Sequence, residues 1–450
     1  MENTKSNPER NVAVLRAAYA AWMAANTLRS TRLRNKRYTY GDQWGDVTRD
    51  EHGRLVTERE RYALNGREPV TNNLIRQLVK TIVGRFRAQV IDERPKRLSK
   101  ALLDHHQTNR LDELDSRALE EFVISGCCIQ RVDCPPGGDD TKPIVNNVNL
   151  NHFFVNALND VRGRDCELVG QLHDLSLAQL LCRVAGGSRR QAAWVRRLYS
   201  DNADLRTAQT MTTLGADSQT GTDFWYAHDN GKCRAIEVWT LESRETMRHA
   251  RWSVSMVWHC RWFSPMGDLL TEYDSPWKHG AHPFVLKFYP LVDGEVHSLV
   301  EDVIDQQRLV NRLVTMVDHV ISSSAKGVLL FPETALPDGL TWDDVRRIWS
   351  STNGLLPYDP TRGQARPEQM VVNNADVGAY DMINLQLKLL EQVSGVSGTL
   401  QGVSTVGHNS ASLYELQTHN ATMALTDVYD TFADFCRQRD LLLAHSSPSA

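Results

Sequence analysis

The sequence predicts an α+β protein in which two long amphipathic helices carry a small α/β knob, next to a separate β-rich segment. Three patterns carry that prediction. In Ser298–Ser324 (SLVEDVIDQQRLVNRLVTMVDHVISSS), Val300, Val303, Val310, Val314, Val317 and Ile321 recur every three or four positions, with one gap at Gln307. That is the period of a helix buried along one stripe. Asp376–Val393 repeats the pattern through Tyr380, Ile383, Leu387 and Leu390. Between them KGVLLFP, TWDDVRRIW and NGLLPY read as strand, helix and strand. Two long helices with a knob at their far end form a stalk, a part suited to assembly more than to a catalytic pocket. Third, AIEVWTLESRE, SVSMVWHCRWF and HPFVLKFYP alternate or run apolar within Cys233–Tyr289, as strands do.

The other elements follow in order. Asn11 to about Arg34 reads as one helix with Val14, Ala18 and Trp22 on one face, and Tyr40–Trp44 breaks it. Residues up to Pro69 read as polar loop. Thr71–Val90 is amphipathic and has a candidate cap in Thr71 or Asn72. Ser99–Ile124 reads as one or two helices, CCIQRVDC and IVNNVNLNHFFVN as strands, and residues 176 to 200 as helical. Gly215–Asp229, polar and with two glycines, predicts a mobile loop. Trp239, Trp252, Trp258 and Trp262 are expected to pack the sheets rather than to stack nucleotides. SGVSGTLQGVSTVGHNSAS is a flexible Gly/Ser loop, after which Ser410 or Ser412 can cap a last helix to about Leu443.

With 450 residues the chain can bury a large core divided into two or three regions. A net charge of -4 argues against a general nucleic-acid-coating protein. The basic runs Arg29–Arg37 and Arg189–Arg197 read as solvated helix faces, with phosphate contact the alternative. MENTKSNPERN has no signal-peptide layout, and no apolar run approaches the roughly 18 residues that span a bilayer. The eight cysteines form no disulfide framework. Cys127, Cys128 and Cys134 lack zinc-ligand spacing, and reduced core thiols are the expectation.

No phosphate-binding Gly-x-x-x-x-Gly-Lys-Ser/Thr loop, HExxH or Gly-x-Ser-x-Gly motif occurs. His105 and His106 point to two faces of a helix, so they do not readily share a metal. Glu301, Asp302 and Asp305 could hold Mg²⁺, but acids at a helix start more often offset the macrodipole. No catalytic residue, metal site or cofactor is therefore expected. A metal-dependent nucleic-acid-processing enzyme remains the alternative class, and it would need a clustered Asp/Glu/His set that the sequence does not display.

Four features, in this order, give a resemblance. They are Tyr40-Gly41-Asp42-Gln43-Trp44 with Asn72-Asn73-Leu74-Ile75 and Gly84-Arg85; HPFVLKFYPLVDGEVHSLVEDVIDQQRLVNRLV with Asp305, Gln306 and Asn311; AKGVLLFPE; and SGVSGTLQG followed by HNSAS and a long helix. In these the chain resembles the portal proteins of tailed double-stranded DNA bacteriophages. The resemblance implies a wing at 1–297, a first stem helix at 298–324, a clip at 325–372 and a second stem helix at 373–394. A tunnel loop at 395–410 and a spine helix at 411–450 would follow, with little or no crown after it. It further implies a ring, usually of twelve subunits, at a capsid vertex of the virion, assembled in the host cytoplasm. Its partners would be the terminase large subunit, head–tail adaptor or neck proteins, major capsid and scaffolding proteins, and double-stranded DNA in transit. No membrane partner is implied, and another head–tail connector is the near alternative.

On this basis the candidate channel-lining residues of the first helix are Glu301, Asp302, Asp305, Arg308, Arg312 and Asp318. A helix of about 26 residues extends roughly 39 Å, enough to line a passage wall. Its acids exceed its bases, and a wall that does not neutralise phosphates does not grip DNA. Thr399, Gln401, Ser404, Thr405, His408 and Asn409 are the candidate lining of the loop, and Asp343, Asp344, Arg346 and Arg347 the candidate partner dock. Deleting Thr399–Gly407 should leave assembled rings that package or retain DNA poorly. Normal genome retention in particles carrying the deletion would reduce the loop to a hinge between two helices.

Overall fold

The computed structural model describes residues 8–50, 52–64, 67–91, 98–133, 142–201, 222–227, 231–248, 251–277, 280–324, 328–333, 336–350, 356–359, 367–370, 378–396, 423 and 425–446. They divide into two compact units, Met1–Asp42 with Asn73–Ile304 and Glu391–Ala450, and Gln43–Asn72 with Asp305–Leu390. The helices and strands mix as the α+β expectation requires.

The first unit opens with two helices rather than one, Pro8–Ala24 and Asn26–Tyr40. At the break, the buried Arg29 guanidinium donates to the Trp22 carbonyl at 2.6 Å and lies 3.9 Å from the Trp22 ring centroid. That carbonyl is therefore taken by a side chain, and burial lowers the arginine's pKa to about 10. Gly41, at φ 101°, ends the second helix in the left-handed region, where glycine carries no Cβ penalty. The helix Leu74–Phe86 is capped by Asn73, whose side chain accepts from the Arg76 amide at 3.0 Å, and not by Thr71 or Asn72.

The segment read as one or two helices is two, Lys100–Asn109 and Leu111–Ser125. Gly126 (φ 71°) turns the second straight into the strand Cys127–Asp133. A side chain there would sit 2.9 Å from the Tyr289 carbonyl, so the turn requires glycine.

Two antiparallel sheets form the β layers of this unit. The smaller orders Phe284–Phe288, Cys127–Asp133 and Ile144–Asn147. The larger is a meander of Phe153–Val155, Leu168–Leu175, Cys233–Arg248, Arg251–Phe263 and Leu269–Asp274. The alternating segment Leu168–Leu175 escaped the sequence reading. Ile129, Phe284, Phe153, Val169, Trp239 and Trp262 pack in one core shared by the sheets. Trp239 and Trp262 are buried and Trp258 is half-buried, whereas Trp252 is exposed, contrary to expectation. Its stretch of the strand lies beyond the reach of the third strand. Within the predicted loop Gly215–Asp229, the described residues 222–227 include the buried Phe224.

Buried charge joins the sheets. Arg131 of the smaller sheet donates to Glu237 of the larger through both terminal nitrogens, one at 3.1 Å. His173 Nε2 lies 2.7 Å from the same carboxylate, and Trp239 Nε1 donates to it at 2.8 Å. Burial by itself would raise the Glu237 pKa, but Arg131 and His173 together hold it well below the usual carboxylate range. A second core joins Leu78, Ile82, Phe86, Leu119, Phe122 and Val303 to Phe432 and Phe435 of the last helix, Thr426–Ser446. Arg439 of that helix is fully buried, bonded to Asp115 and 2.9 Å from Asp440, which His106 approaches at 2.9 Å.

In the second unit, residues 45 to 69 are not simply polar loop. They form a hairpin, Val47–Arg49 with Leu55–Thr57, and a helix, Glu58–Leu64. The knob has the strand Val328–Leu330 and the helix Trp342–Ser350. The strand paired with Val328–Leu330 is Glu368–Met370, whereas Leu356–Tyr358 is not in a strand. Pro357 cannot donate to a ladder, which accounts for that difference. The predicted helices Ser298–Ser324 and Asp376–Val393 run over Leu299–Ser324 and Ala379–Ser394.

Two measurements probe these cores. Phe432→Ala removes a ring packed 5.2 Å from Phe86 and should cost about 3–5 kcal/mol in denaturant unfolding. For Glu237 the folded pKa is depressed, so its contribution is present above about pH 4.3, the unfolded value, and is lost as pH falls below it. Glu237→Gln should therefore be destabilised at pH 7 by an amount that shrinks towards pH 2.5. An equal deficit at both pH values would contradict this.

Candidate functional site

The helix Leu299–Ser324 begins at Ser298, whose Oγ accepts from the Glu301 amide at 3.1 Å and from Asn35 Nδ2 at 2.8 Å. Glu301 and Asp302 occupy its first turn, next to the positive end of the macrodipole. Burial, and then the neighbouring Glu301 charge, raises the Asp302 pKa. Among the described residues no group of three His, Cys, Asp or Glu is placed to hold a metal ion.

The gap at Gln307 in the apolar stripe is filled by a polar seam. Gln307 is 0% exposed and donates to the Asn72 carbonyl at 2.6 Å and to Asn311 Oδ1 at 3.0 Å. Asn311 donates to Gln43 Oε1 at 2.6 Å and accepts from the Asn72 amide at 3.1 Å. Thr315, one turn on, accepts from the Val70 amide at 3.0 Å. Positions 307, 311 and 315 lie four apart and so form one row on the helix. Off the helix, Gln43, Val70 and Asn72 supply these bonds.

The charged face has a buried anchor. Arg308 and Arg312 were expected on the exposed side, among the lining residues; Arg312 is exposed and Arg308 half-buried, and each donates to Glu58 Oε1 at 2.6 Å, where Glu58 is itself buried. A buried carboxylate needs compensating charge, and two guanidiniums one helical turn apart supply it. Asp305 is free of such a clamp, with 88% of its side chain exposed and Arg308 only within 3.9 Å. Asp302 and Asp318 are likewise exposed, and Glu301 is half-buried. Arg312 keeps 47% of its side chain exposed while it holds Glu58, so the outward charge of this helix stays mixed, with acids in excess.

The knob helix also sorts its charges. Thr341 Oγ1 accepts from the Asp344 amide at 3.3 Å, while Asp344 Oδ2 accepts from the Thr341 amide at 3.2 Å. This reciprocal cap and the Thr341 hydroxyl lower the Asp344 pKa, and Arg347 adds a 2.8 Å bond. Asp344 and Arg347 are thus committed to their own helix. Asp343 and Arg346 are 91% and 84% exposed and only 3.7 Å apart. Val345 is buried, Trp349 is half-buried, and Trp342 meets Phe331 edge-on at 5.9 Å while staying largely open. Thr399, Gln401, Ser404, Thr405, His408 and Asn409 lie outside the described residues.

Comparison with known proteins bears on this arrangement. The model of the phage P22-like portal protein family matches residues 15–440. The chain belongs to the P22-like phage portal protein family. No curated protein matches it. The portal family is structural and non-enzymatic, in keeping with a site made of helix faces and caps. Within this portal chain, sequence reasoning missed Glu58, Gln43 and Asn72 as the anchors of the long helix. The available signal was Gln307 itself, a polar residue where the period demands an apolar one.

Glu58→Ala should free Arg308 and Arg312 and loosen Gln43–Asn72. Hydrogen exchange should then speed up in Val47–Leu64 and leave Leu119–Val123 unchanged. Unaltered exchange in the hairpin would show that the amide seam holds the segment without the carboxylate.

Proposed function

We propose that this chain is the subunit of a ring-shaped channel at one capsid vertex, through which double-stranded DNA is packaged and ejected. The family match over residues 15–440 carries this reading. The outward acids of Leu299–Ser324 support it: a wall bearing Asp302, Asp305 and Asp318 repels phosphate, whereas each neutralised phosphate would add affinity through counterion release. Such a wall suits passage and not retention. Glu301 belongs to the same lining, while Arg308 and Arg312 serve it by holding Glu58. The tunnel-loop residues Thr399 to Asn409 would add a neutral collar of hydroxyls and amides around the duplex.

The ring, of twelve subunits by family likeness, would dock the terminase large subunit and then the neck proteins on the clip. Asp343 and Arg346 are its most available charges. Exposed apolar residues on the two long helices, among them Met316, Ile321, Met382 and Leu385, support burial against neighbouring subunits.

Negative-stain microscopy of the purified protein, alone and with capsid partners, tests the reading. Rings with a central hole of duplex width are expected; a protein that stays monomeric under both conditions would overturn it. Asp343→Lys should weaken pull-down of the terminase large subunit several-fold while rings persist. Unchanged capture would remove the clip helix from the dock.

A further inference from the structure

The chain carries two arginine runs, and the fold treats them differently. In the first, Arg29 donates to the Trp22 carbonyl and Arg32 pairs with Glu121, so both are engaged inside the protein. The second run lies on a helical hairpin, Leu177–Val184 and Arg189–Asp201. Leu180, Val184, Val195 and Tyr199 of that hairpin enter the core of the larger sheet. The Tyr199 hydroxyl donates to the Arg234 carbonyl at 2.7 Å, and Gln191 Nε2 donates to the Leu270 carbonyl at 2.7 Å. The inner face of the second helix is thereby fixed, and with it the outer one.

That outer face is basic. Arg189, Arg190, Arg196 and Arg197 are all exposed, and none has a carboxylate partner among the described residues. With 3.6 residues per turn they fall within about 120° of the helix circumference. No acid occurs in the sequence between Arg183 and Ser200 to offset them. Trp194, one turn from both Arg190 and Arg197, stays 39% exposed. The helix starts at Ser188, whose Oγ accepts from the Gln191 amide at 3.3 Å. Arg189 and Arg190 thus occupy the first turn, at the positive end of the macrodipole, where cations are disfavoured. A local rule broken on a well-packed helix marks a surface kept for something other than stability.

We propose that this face binds the phosphate backbone of duplex DNA. Guanidiniums form paired hydrogen bonds to phosphate oxygens. The pairs Arg189–Arg190 and Arg196–Arg197 stand one pair after the other, about 10 Å apart along the helix. That distance is about three phosphate steps of one strand at roughly 3.4 Å each. An acidic protein would need an apolar centre to its interface, and the large apolar side chain exposed here is Trp194 alone. The net charge of -4 is no obstacle, because beyond a Debye length of about 10 Å the rest of the chain is screened. The face shares no residue with the channel wall proposed above. It rests on the reading that duplex DNA is this chain's cargo, and not on the helix Leu299–Ser324.

The test titrates the full chain into a short labelled DNA duplex and follows anisotropy. With about four phosphate contacts, raising salt from about 50 to about 200 mM should weaken binding roughly 100-fold. A chain with Arg189→Gln, Arg190→Gln, Arg196→Gln and Arg197→Gln should keep its thermal melt, bind at least tenfold more weakly at low salt, and lose most of the salt dependence. Wild-type affinity and salt slope in that variant would overturn the proposal. So would poly-glutamate that competes as well as DNA at equal charge, which would make the partner an acidic protein. Normal rings that bind no duplex at low salt would overturn this surface alone; a chain that binds duplex but never forms rings would overturn the ring reading and leave this one standing.

Discussion

The arrangement of the second unit depends on a row of buried polar side chains, two amides and a hydroxyl. Gln307, Asn311 and Thr315 replace apolar residues where the helix Leu299–Ser324 should be driest, and a buried polar group without a partner costs roughly 1–3 kcal/mol. The backbone of Val70 and Asn72 and the side chain of Gln43 meet that demand. Hydrogen bonds are directional, so the row fixes the register of Gln43–Asn72 along the helix as apolar contacts would not. Glu58 then draws in Arg308 and Arg312, leaving Asp305 as the most open charge beside them.

The first unit uses buried charge in a related way. Glu237 accepts from Arg131 across two sheets, and Arg439 is bonded to Asp115 and Asp440 beneath the last helix. Such pairs add little net stability against an apolar replacement, but removing one partner strands a charge in the core. Their effect is to penalise alternative docking of layers whose apolar faces would accept several.

Exposed charges differ from engaged ones. Asp344 and Arg347 cap and brace their own helix, whereas Asp343 and Arg346 stay open at 91% and 84% exposure. Arg308 and Arg312 bond Glu58. These engagements run through partners distant in sequence or hidden in a cap, which a count of charges along a helix does not reveal.

By itself the sequence determined the long helices, the β-rich segment and the family likeness, because periodicity and motif order are local properties written in consecutive residues. Gln307 was legible as an anomaly, and the break at Tyr40–Trp44 was legible as a loss of pattern, although the helix before it runs on to Tyr40. The tertiary structure alone decided what the anomaly meant. Glu58 is 250 positions from Arg308, and nothing local distinguishes its segment from polar loop. Likewise Trp252 carries the composition of a core tryptophan, but it lies where no third strand arrives. Glu368–Met370 became the partner of Val328–Leu330 in place of the more apolar Leu355–Tyr358, where Pro357 breaks the ladder. In each case the residue type set what was chemically possible, and long-range pairing chose among the possibilities, because burial is a property of the assembled chain.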